Sequence, residues 1–281
     1  MYLKSVLQMA ALMLHFRNGR TLVQRLRAGQ SCDEVVLWDG TRIAHPPEKG
    51  GLLEATVELW LEHAYTARFY RPADGDVIVD AGANVGVFAI QIARQNRRCR
   101  VVALEPFAEN FKYLEANVAR ACPENTTCYE VALGAVFGHG HMQTAGSRSL
   151  DHVLLLDPSA TDGVPVIPLS GLFDLARAEE IDFLKIDIEG SEHAVFAAAS
   201  PDVLGRFKRI AMEYHDQVVA GTLELLRLVL SPTHEITVRP SKMEGYGILL
   251  AQRRPSVAGK SNSSFRDPGG RAMRRREKSI S

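Results

Sequence analysis

The chain has no CxxC pair, no excess of charge of either sign and no apolar run long enough to cross a bilayer, and each lack removes a class of protein. Cys32, Cys99, Cys122 and Cys128 show no regular spacing and no histidine at zinc-ligand distance, which argues against a zinc site or a disulfide framework. They read as small buried hydrophobes of a reducing, cytoplasmic compartment. Lys plus Arg and Asp plus Glu are both 33, so no global field points to nucleic acid. The longest charge-free apolar stretch near the start, residues 5–16, falls short of the about 20 residues that span a membrane. Lys4 before it imitates a signal peptide, but His15, Arg17 and Arg20 follow without a small-residue cleavage site. Aromatic residues are 7% beside 46% apolar and 23% charged, ordinary globular usage that excludes a wholly disordered or fibrous chain.

What charge there is, is unevenly placed. From residue 252 to 281 nine Lys or Arg face only Asp267 and Glu277, a net of +7, and the remainder carries −7. That stretch is rich in Ser, Gly, Pro and Arg with nothing to bury, which predicts a basic, disordered tail. The first 32 residues hold no Asp or Glu but carry Lys4, Arg17, Arg20, Arg25 and Arg27. A transit peptide or a basic membrane-surface helix fits these residues, and so does a plain helix packed on the domain, which is the expectation. Peripheral contact of the basic ends with an anionic membrane is a separate expectation.

Between the ends, short β-branched runs closed by Gly, Pro or Asp alternate with helical-period stretches, the signal for a parallel sheet. The 281 residues divide into a lead-in over 1–70 that serves as a lid, a main domain over 71–251 and the tail over 252–281. In the lead-in, residues 35–43 carry the hairpin signal Asp39-Gly40, and 52–65 have helical spacing. Strands are predicted at 77–79, 101–104, 127–132, 183–186 and 209–212, with helices at 85–95, 109–120, 172–178, 192–199 and 218–230. A Gly-flanked insertion covers 136–144, and 164–169 reads as a small edge strand. Strands at 235–238 and 246–251 follow each other without a helix and are most simply antiparallel.

Chemistry starts at Val77-Ile78-Val79-Asp80-Ala81-Gly82-Ala83-Asn84-Val85-Gly86, a buried strand ending in a glycine turn that opens a helix. Ligands of open α/β sheets bind there. A dinucleotide fingerprint needs Gly where Asp80 and Val85 stand, so a nicotinamide reading fails on spacing. Asp80 with Gly82 and Gly86 instead lets the backbone approach a ligand and offers a carboxylate to a cationic amine, which suits the amino-acid end of S-adenosylmethionine. Twenty-five residues on, Glu105 at the end of the second strand can accept hydrogen bonds from both ribose hydroxyls. Singly each acid reads as a helix cap or a solvated carboxylate; at neighbouring strand ends the two narrow the ligand to a nucleoside. Val131 can border an adenine. The predicted cofactor residues are thus Asp80, Gly82, Asn84, Gly86, Glu105 and Val131, with Asp187 added below.

With these residues in place the chain resembles the FkbM family of S-adenosylmethionine-dependent methyltransferases. The resemblance covers about residues 34–251. It rests on the Asp80 to Gly86 block, Glu105-Pro106 with Asn110 and Asn117 behind it, Asp182-Phe183-Leu184-Lys185-Ile186-Asp187-Ile188-Glu189-Gly190-Ser191-Glu192, and Met212-Glu213. It implies a Rossmann-like class I methyltransferase, a mostly parallel seven-stranded sheet in the order 3-2-1-4-5-7-6 with the last strand antiparallel and helices on both faces. It also implies O-methylation of a small molecule or sugar. One departure is Ser170, where the family commonly has Asp, which removes an acid from that position.

Read from the residues, Lys185, Asp187 and Glu189 alternate and so share one face of a strand, while Glu213 and His215 come alongside on the next. Methyl transfer from a sulfonium is an in-line displacement, so aligning the nucleophile is the main task, with deprotonation added for an alcohol. His215 is a candidate base because its ordinary pKa is near 6.5, and Glu189 competes with it. Asp187 reads as a site residue rather than a base, and His215 reads equally as a satisfied core histidine. Asp187, Glu189, Glu213 and His215 form a donor set for a hard divalent cation, but hydrogen bonding to substrate is the favoured reading and no metal is assigned. His139 and His141 read as a solvated turn, His193 as structural, and Trp38 and Trp60 as lid or core. No Asp-Pro-Pro-aromatic motif follows the fourth strand, so specific nucleic acid is not expected as substrate. The contrasting reading is a catalytically degenerate fold acting as a binding module, brought to a membrane or polyanion by its basic ends.

Overall fold

The computed structural model describes residues 6–47, 50–144, 152–157 and 163–255, and side chains outside 143–162. The basic tail beyond residue 255 and Lys4 lie outside the described residues. The lead-in holds two helices, α1 (Val6–His15) and α2 (Gly19–Ala28), then the hairpin β1 (Glu34–Val36) and β2 (Arg42–Ala44). The hairpin closes where Asp39-Gly40 signals it. Gly40 takes φ +87°, Leu37 N donates to Thr41 O at 2.8 Å, and Asp39 Oδ1 accepts from Thr41 N. The expected helix over 52–65 is shorter and wider than its spacing suggests. It is α-helical only over α3 (Leu52–Ala55) and π-helical over Thr56–Leu61. At the start of the widening the Thr56 hydroxyl donates to Leu52 O at 2.7 Å, beside the Thr56 backbone N–H.

The main domain runs β3 (Val77–Ala81), α4 (Val87–Gln95), β4 (Arg100–Leu104), α5 (Ala108–Ala121) and β5 (Thr126–Tyr129). After a smaller sheet come α6 (Gly171–Ala176), β10 (Phe183–Ile186), α7 (Glu192–Ala197), α8 (Pro201–Leu204), β11 (Arg209–His215), α9 (Thr222–Leu230), β12 (His234–Pro240) and β13 (Tyr246–Arg253). The seven-stranded sheet has the order β12-β13-β11-β10-β3-β4-β5, which numbered within this sheet alone reads 6-7-5-4-1-2-3. From β5 to β11 the strands are parallel, and β13 is antiparallel to both β11 and β12. The smaller sheet, which the sequence did not reveal, is built from β6 (Ala132–Leu133), β7 (Gly138–Thr144), β8 (His152–Asp157) and β9 (Val164–Ile167), in the order β6-β9-β7-β8. The strand expected at 127–132 therefore splits, its last residue leaving for the second sheet. His139 and His141 sit in β7, paired opposite Asp157 and Leu155, rather than in a turn.

Each strand alternates between two cores. Ile78, Val101, Phe183 and Ala211 face one that also takes in α4, α5, the lead-in helices and Tyr65. Val79, Val102, Leu184 and Met212 face another, covered by α6 to α9. Tyr70 stacks on Phe183 at 4.4 Å between centroids, Phe88 lies 6.1 Å from Phe183, and Tyr65 meets Phe88 edge-on at 6.2 Å. Such pairs add roughly 0.5–1.5 kcal/mol each beyond area burial, and here they fix the lead-in under the sheet. Asp182 ties the strand starts together, accepting from Val77 N at 2.9 Å and from Lys208 Nζ at 2.6 Å. Val6, Leu7 and Leu14 on α1 and nearby Trp38 are exposed, so Trp38 is not a core residue, whereas Trp60 packs edge-on against Phe16. All four cysteines are free. No helix among the described residues is long and apolar enough to cross a membrane.

Candidate active site

The cleft opens at the carboxyl ends of β3, β4 and β10, where a doubly wound sheet leaves its crevice. The space in its mouth, open solvent included, is about 630 Å³. Gly82, Asn84, Glu105, Asn110, Val131 and Met142 line one part, and Asp187, Glu189 and Ser191 the other. Gly82 leaves β3 at φ +76°, and a Cβ built on it would lie 1.8 Å from Asp187 O. Only glycine lets the two strand exits meet that closely. Asn84 then turns left-handed at φ 51°, a conformation Asn tolerates, and its Oδ1 caps Val85 N at 2.8 Å. Gly86 is not a wall residue: it starts α4 at φ +91°, where a Cβ would meet Leu114 Cδ1 at 2.8 Å.

Glu105 is buried at the end of β4. Its Oε2 accepts from Asn84 N at 2.8 Å and its Oε1 from Phe107 N at 3.0 Å. Burial pushes its carboxyl up to about 7 against the pull of those two N–H groups. Asn110 adds a side-chain hydrogen bond, and the carboxylate lines the cleft as an acceptor of the kind ribose hydroxyls require. Asn117, wholly buried on α5, accepts from Ala44 N and donates to Ala44 O and Val85 O, each at 2.8 Å. It clamps the lead-in hairpin to the cofactor loop.

Asp80 is placed otherwise than its sequence reading. Strand alternation turns it, with Lys185 opposite it in register, to the face covered by α4 and Tyr65. It is fully buried with its carboxylate 3.2 Å from Lys185 Nζ, and it does not line the cleft. Lys185 in turn donates to Gly82 O at 2.8 Å and lies 3.9 Å from Asp187. Burial draws the Lys185 ammonium down, but Asp80 and then Asp187 outweigh it and hold it above its ordinary value. Asp80 therefore shapes the glycine turn through Lys185 instead of meeting an amine directly.

The same face carries Asp187, Glu213 and His215. Asp187 N donates to Ala81 O at 3.0 Å, continuing the pairing past the end of β10. The strand stops at Ile186, so the expected alternation does not extend to Glu189. Glu189 sits in a tight turn at φ 52°, strained for a residue with a side chain, and from there reaches His215 Nε2 at 3.6 Å. His215 is buried at the end of β11 and donates from Nδ1 to Glu192 Oε1 at 3.0 Å, while Glu192, wholly buried on α7, also accepts from Ile188 N at 3.3 Å. Burial lowers the His215 imidazole, but the Glu192 bond and the charges of Glu192, Asp187 and Glu189 carry it up to about 9. Burial and Asp187 push both Glu189 and Glu213 to about 8. His193 lies on α7 with its Nδ1 3.5 Å from Thr222 Oγ1, a packing contact.

Tyr65 was missed by the sequence reading. Its hydroxyl lies 3.2 Å from Asp187 Oδ2 and 3.4 Å from Glu213 Oε2, and burial, Asp187 and Glu213 keep its proton on well above the ordinary range. Nothing local marks it, since its partners lie 122 and 148 residues away. The one available signal was the helical lead-in just before the first parallel strand.

S-adenosylmethionine fits this cleft by the chemistry of its donors: the Glu105 carboxylate for a ribose, apolar Val131, Leu133 and Met142 for an adenine, and the acidic Asp187 and Glu189 for a cationic sulfonium. The family model described as "Methyltransferase FkbM domain" matches residues 80–230, more than half of the chain. A curated relative, the AMB antimetabolite synthetase AmbE of Pseudomonas aeruginosa, is 27% identical over a stretch covering 65% of this chain and 10% of that protein. The chain thus spans about a tenth of that relative's length. An rRNA methylase from Streptococcus thermophilus superposes with a TM-score of 0.44 at 14% identity, covering 69% of this chain and 94% of its own. A precorrin-6y C5,15-methyltransferase from Geobacter metallireducens gives 0.44 at 16%, covering 75% and 94%.

Proposed function

The chain belongs to the methyltransferase FkbM domain family, whose members use S-adenosylmethionine, and from that premise we propose that it methylates a hydroxyl of a small molecule or sugar. The observation that carries this reading is the division of one cleft into two chemistries, Asn84 and Glu105 at one end and Asp187 and Glu189 at the other. The bound cofactor supplies an electrophilic methyl on a sulfonium. Glu105 and Asn84 hold the nucleoside, and Val131 borders its base. Acidic residues at the far end suit both the donor's positive charge and the hydroxyls of an acceptor. Glu189 lines the cleft and so is the group within reach of an acceptor's proton, whereas His215 is buried with each ring nitrogen facing a carboxylate. In this reading Glu189 is the base, and His215 positions Glu189 and Glu192. Asp187 and Tyr65 hold the acceptor side together.

Calorimetric titration of the full chain with S-adenosylmethionine and S-adenosylhomocysteine, followed by a screen of hydroxylated acceptors for S-adenosylhomocysteine release, tests it. Micromolar binding and release that falls roughly 100-fold or more in Glu189→Gln, the scale of a general base, is the expected result. Binding without release on any hydroxylated acceptor would favour the binding-module reading, and no binding by folded protein would overturn the proposal.

A further inference from the structure

Asp187, Glu213 and His215 each bring one ligand-type atom to within 4.8 Å of the others, and Asp187 among them lines the acceptor end of the cleft. Two features separate this group from an ordinary acidic surface. The His215 ring is buried at 3% exposure and held from behind: its Nδ1 is committed to Glu192, itself wholly buried, and its Nε2 faces the carboxylates without a hydrogen bond, 3.6 Å from Glu189 Oε2. A carboxylate that fixes one imidazole nitrogen and leaves the other aimed inward is how metal-binding histidines are commonly held. The other feature is unmatched acceptor capacity. Tyr65 has one proton for Asp187 Oδ2 and Glu213 Oε2 together, and Asp187 Oδ1 is buried with no hydrogen-bond partner. Lys185, the lysine that pairs with Asp187 at 3.9 Å, is already closer to Asp80. Half-buried acceptors in this number are stabilised when a cation is shared among them.

We propose that Asp187, Glu213 and His215 form a divalent-cation site, with Glu189 beside it and Glu192 as the positioning residue behind the imidazole. Two carboxylate oxygens and one imidazole nitrogen suit a cation of intermediate hardness, Mn²⁺ above Ca²⁺, and leave room for oxygen atoms of water or substrate. The binding itself stands apart from the proposed methyl transfer. The consequence drawn for the acceptor, that its hydroxyl oxygen is held and made more acidic by the cation, rests on that reading.

Mn²⁺ titrated into the full chain, with the free-ion electron paramagnetic resonance signal as readout, tests the site with or without S-adenosylhomocysteine. One Mn²⁺ per chain is expected, weakened by roughly 10–100-fold in Glu192→Gln through loss of the carboxylate that orients the imidazole and abolished in Asp187→Asn and Glu213→Gln. Circular dichroism identifies any variant that has not folded, and two ligand variants are used so that one remains informative. Folded wild-type protein that leaves the Mn²⁺ signal unchanged at millimolar metal, or variants that bind as well as wild type, would overturn the proposal. Mn²⁺ bound and lost as described, with S-adenosylhomocysteine release insensitive to the metal, would uphold the site and count only against its part in methyl transfer.

Discussion

The two ends of the cleft are built in different ways. At the exits of β3 and β4 the wall is backbone and a few side chains close in sequence: Asn84 N meets Glu105 Oε2 across 21 residues, and Gly82 clears the way for Asp187 O. At the exits of β10 and β11 the parts come from three distant segments, with Tyr65 bonded to a residue 148 positions away and His215 to one 23 away. The first end is a local motif that folds into shape once its strands pair. The second exists only after the lead-in has docked on the sheet, so its chemistry is open to change by changes in the lead-in.

The largest effect that would test this division is at Gly82. Gly82→Ala places a methyl where Asp187 O stands and strains a φ of +76°. We expect a loss of about 3 kcal/mol or more, combining backbone strain with overpacking, and the loss of both ends at once. Thermal melting and cofactor titration measure it; a stable variant that still binds S-adenosylhomocysteine would mean the strand exits are not locked together.

Next is Glu105→Gln, which keeps the shape and removes the charge. S-adenosylhomocysteine affinity should fall roughly 10–100-fold, the worth of charge-assisted hydrogen bonds, with little change in Mn²⁺ binding. Because burial raises Glu105 to about 7, its ionised, accepting form is lost as pH falls through 7, and affinity should fall with it. The folded chain without cofactor behaves oppositely. An acid raised on folding binds its proton more tightly there than in the unfolded chain, so its contribution to stability declines as pH rises from the ordinary carboxylate range to 7. Titrations across that range should show the affinity slope in wild type and a flat line in Glu105→Gln.

The smallest effect on cofactor binding belongs to Tyr65→Phe. It should cost about 1 kcal/mol of stability through a lost buried hydrogen bond, read by thermal melting, and leave S-adenosylhomocysteine affinity within about twofold. A drop matching that of Glu105→Gln would show that the two ends act as one and would break the comparison.

Most of the strands were legible because parallel strands buried on both faces read as continuous β-branched runs, as in residues 77–79 and 183–186. The small sheet was not, because β6 is two residues long and its partners are contributed by a segment whose pairing is non-local. The lead-in helix was seen, but its π-helical turn over Thr56–Leu61 was not. The placement of Glu105 followed from its position at a strand end. That of Asp80 did not, since the strand end fixes its depth but alternation and the Lys185 neighbour fix which way it faces.

By itself, then, the sequence determined the doubly wound core, the glycine turn and the acids at the strand exits, because period-two burial and positive-φ turns are local demands that a few residues satisfy. Only the tertiary structure decided that Asp80 serves Lys185, that Glu189 leaves the strand line, and that Tyr65 joins Asp187 and Glu213 beside a buried His215. Those relations hang on which face of the sheet the lead-in covers, and that is set by packing between segments more than a hundred residues apart.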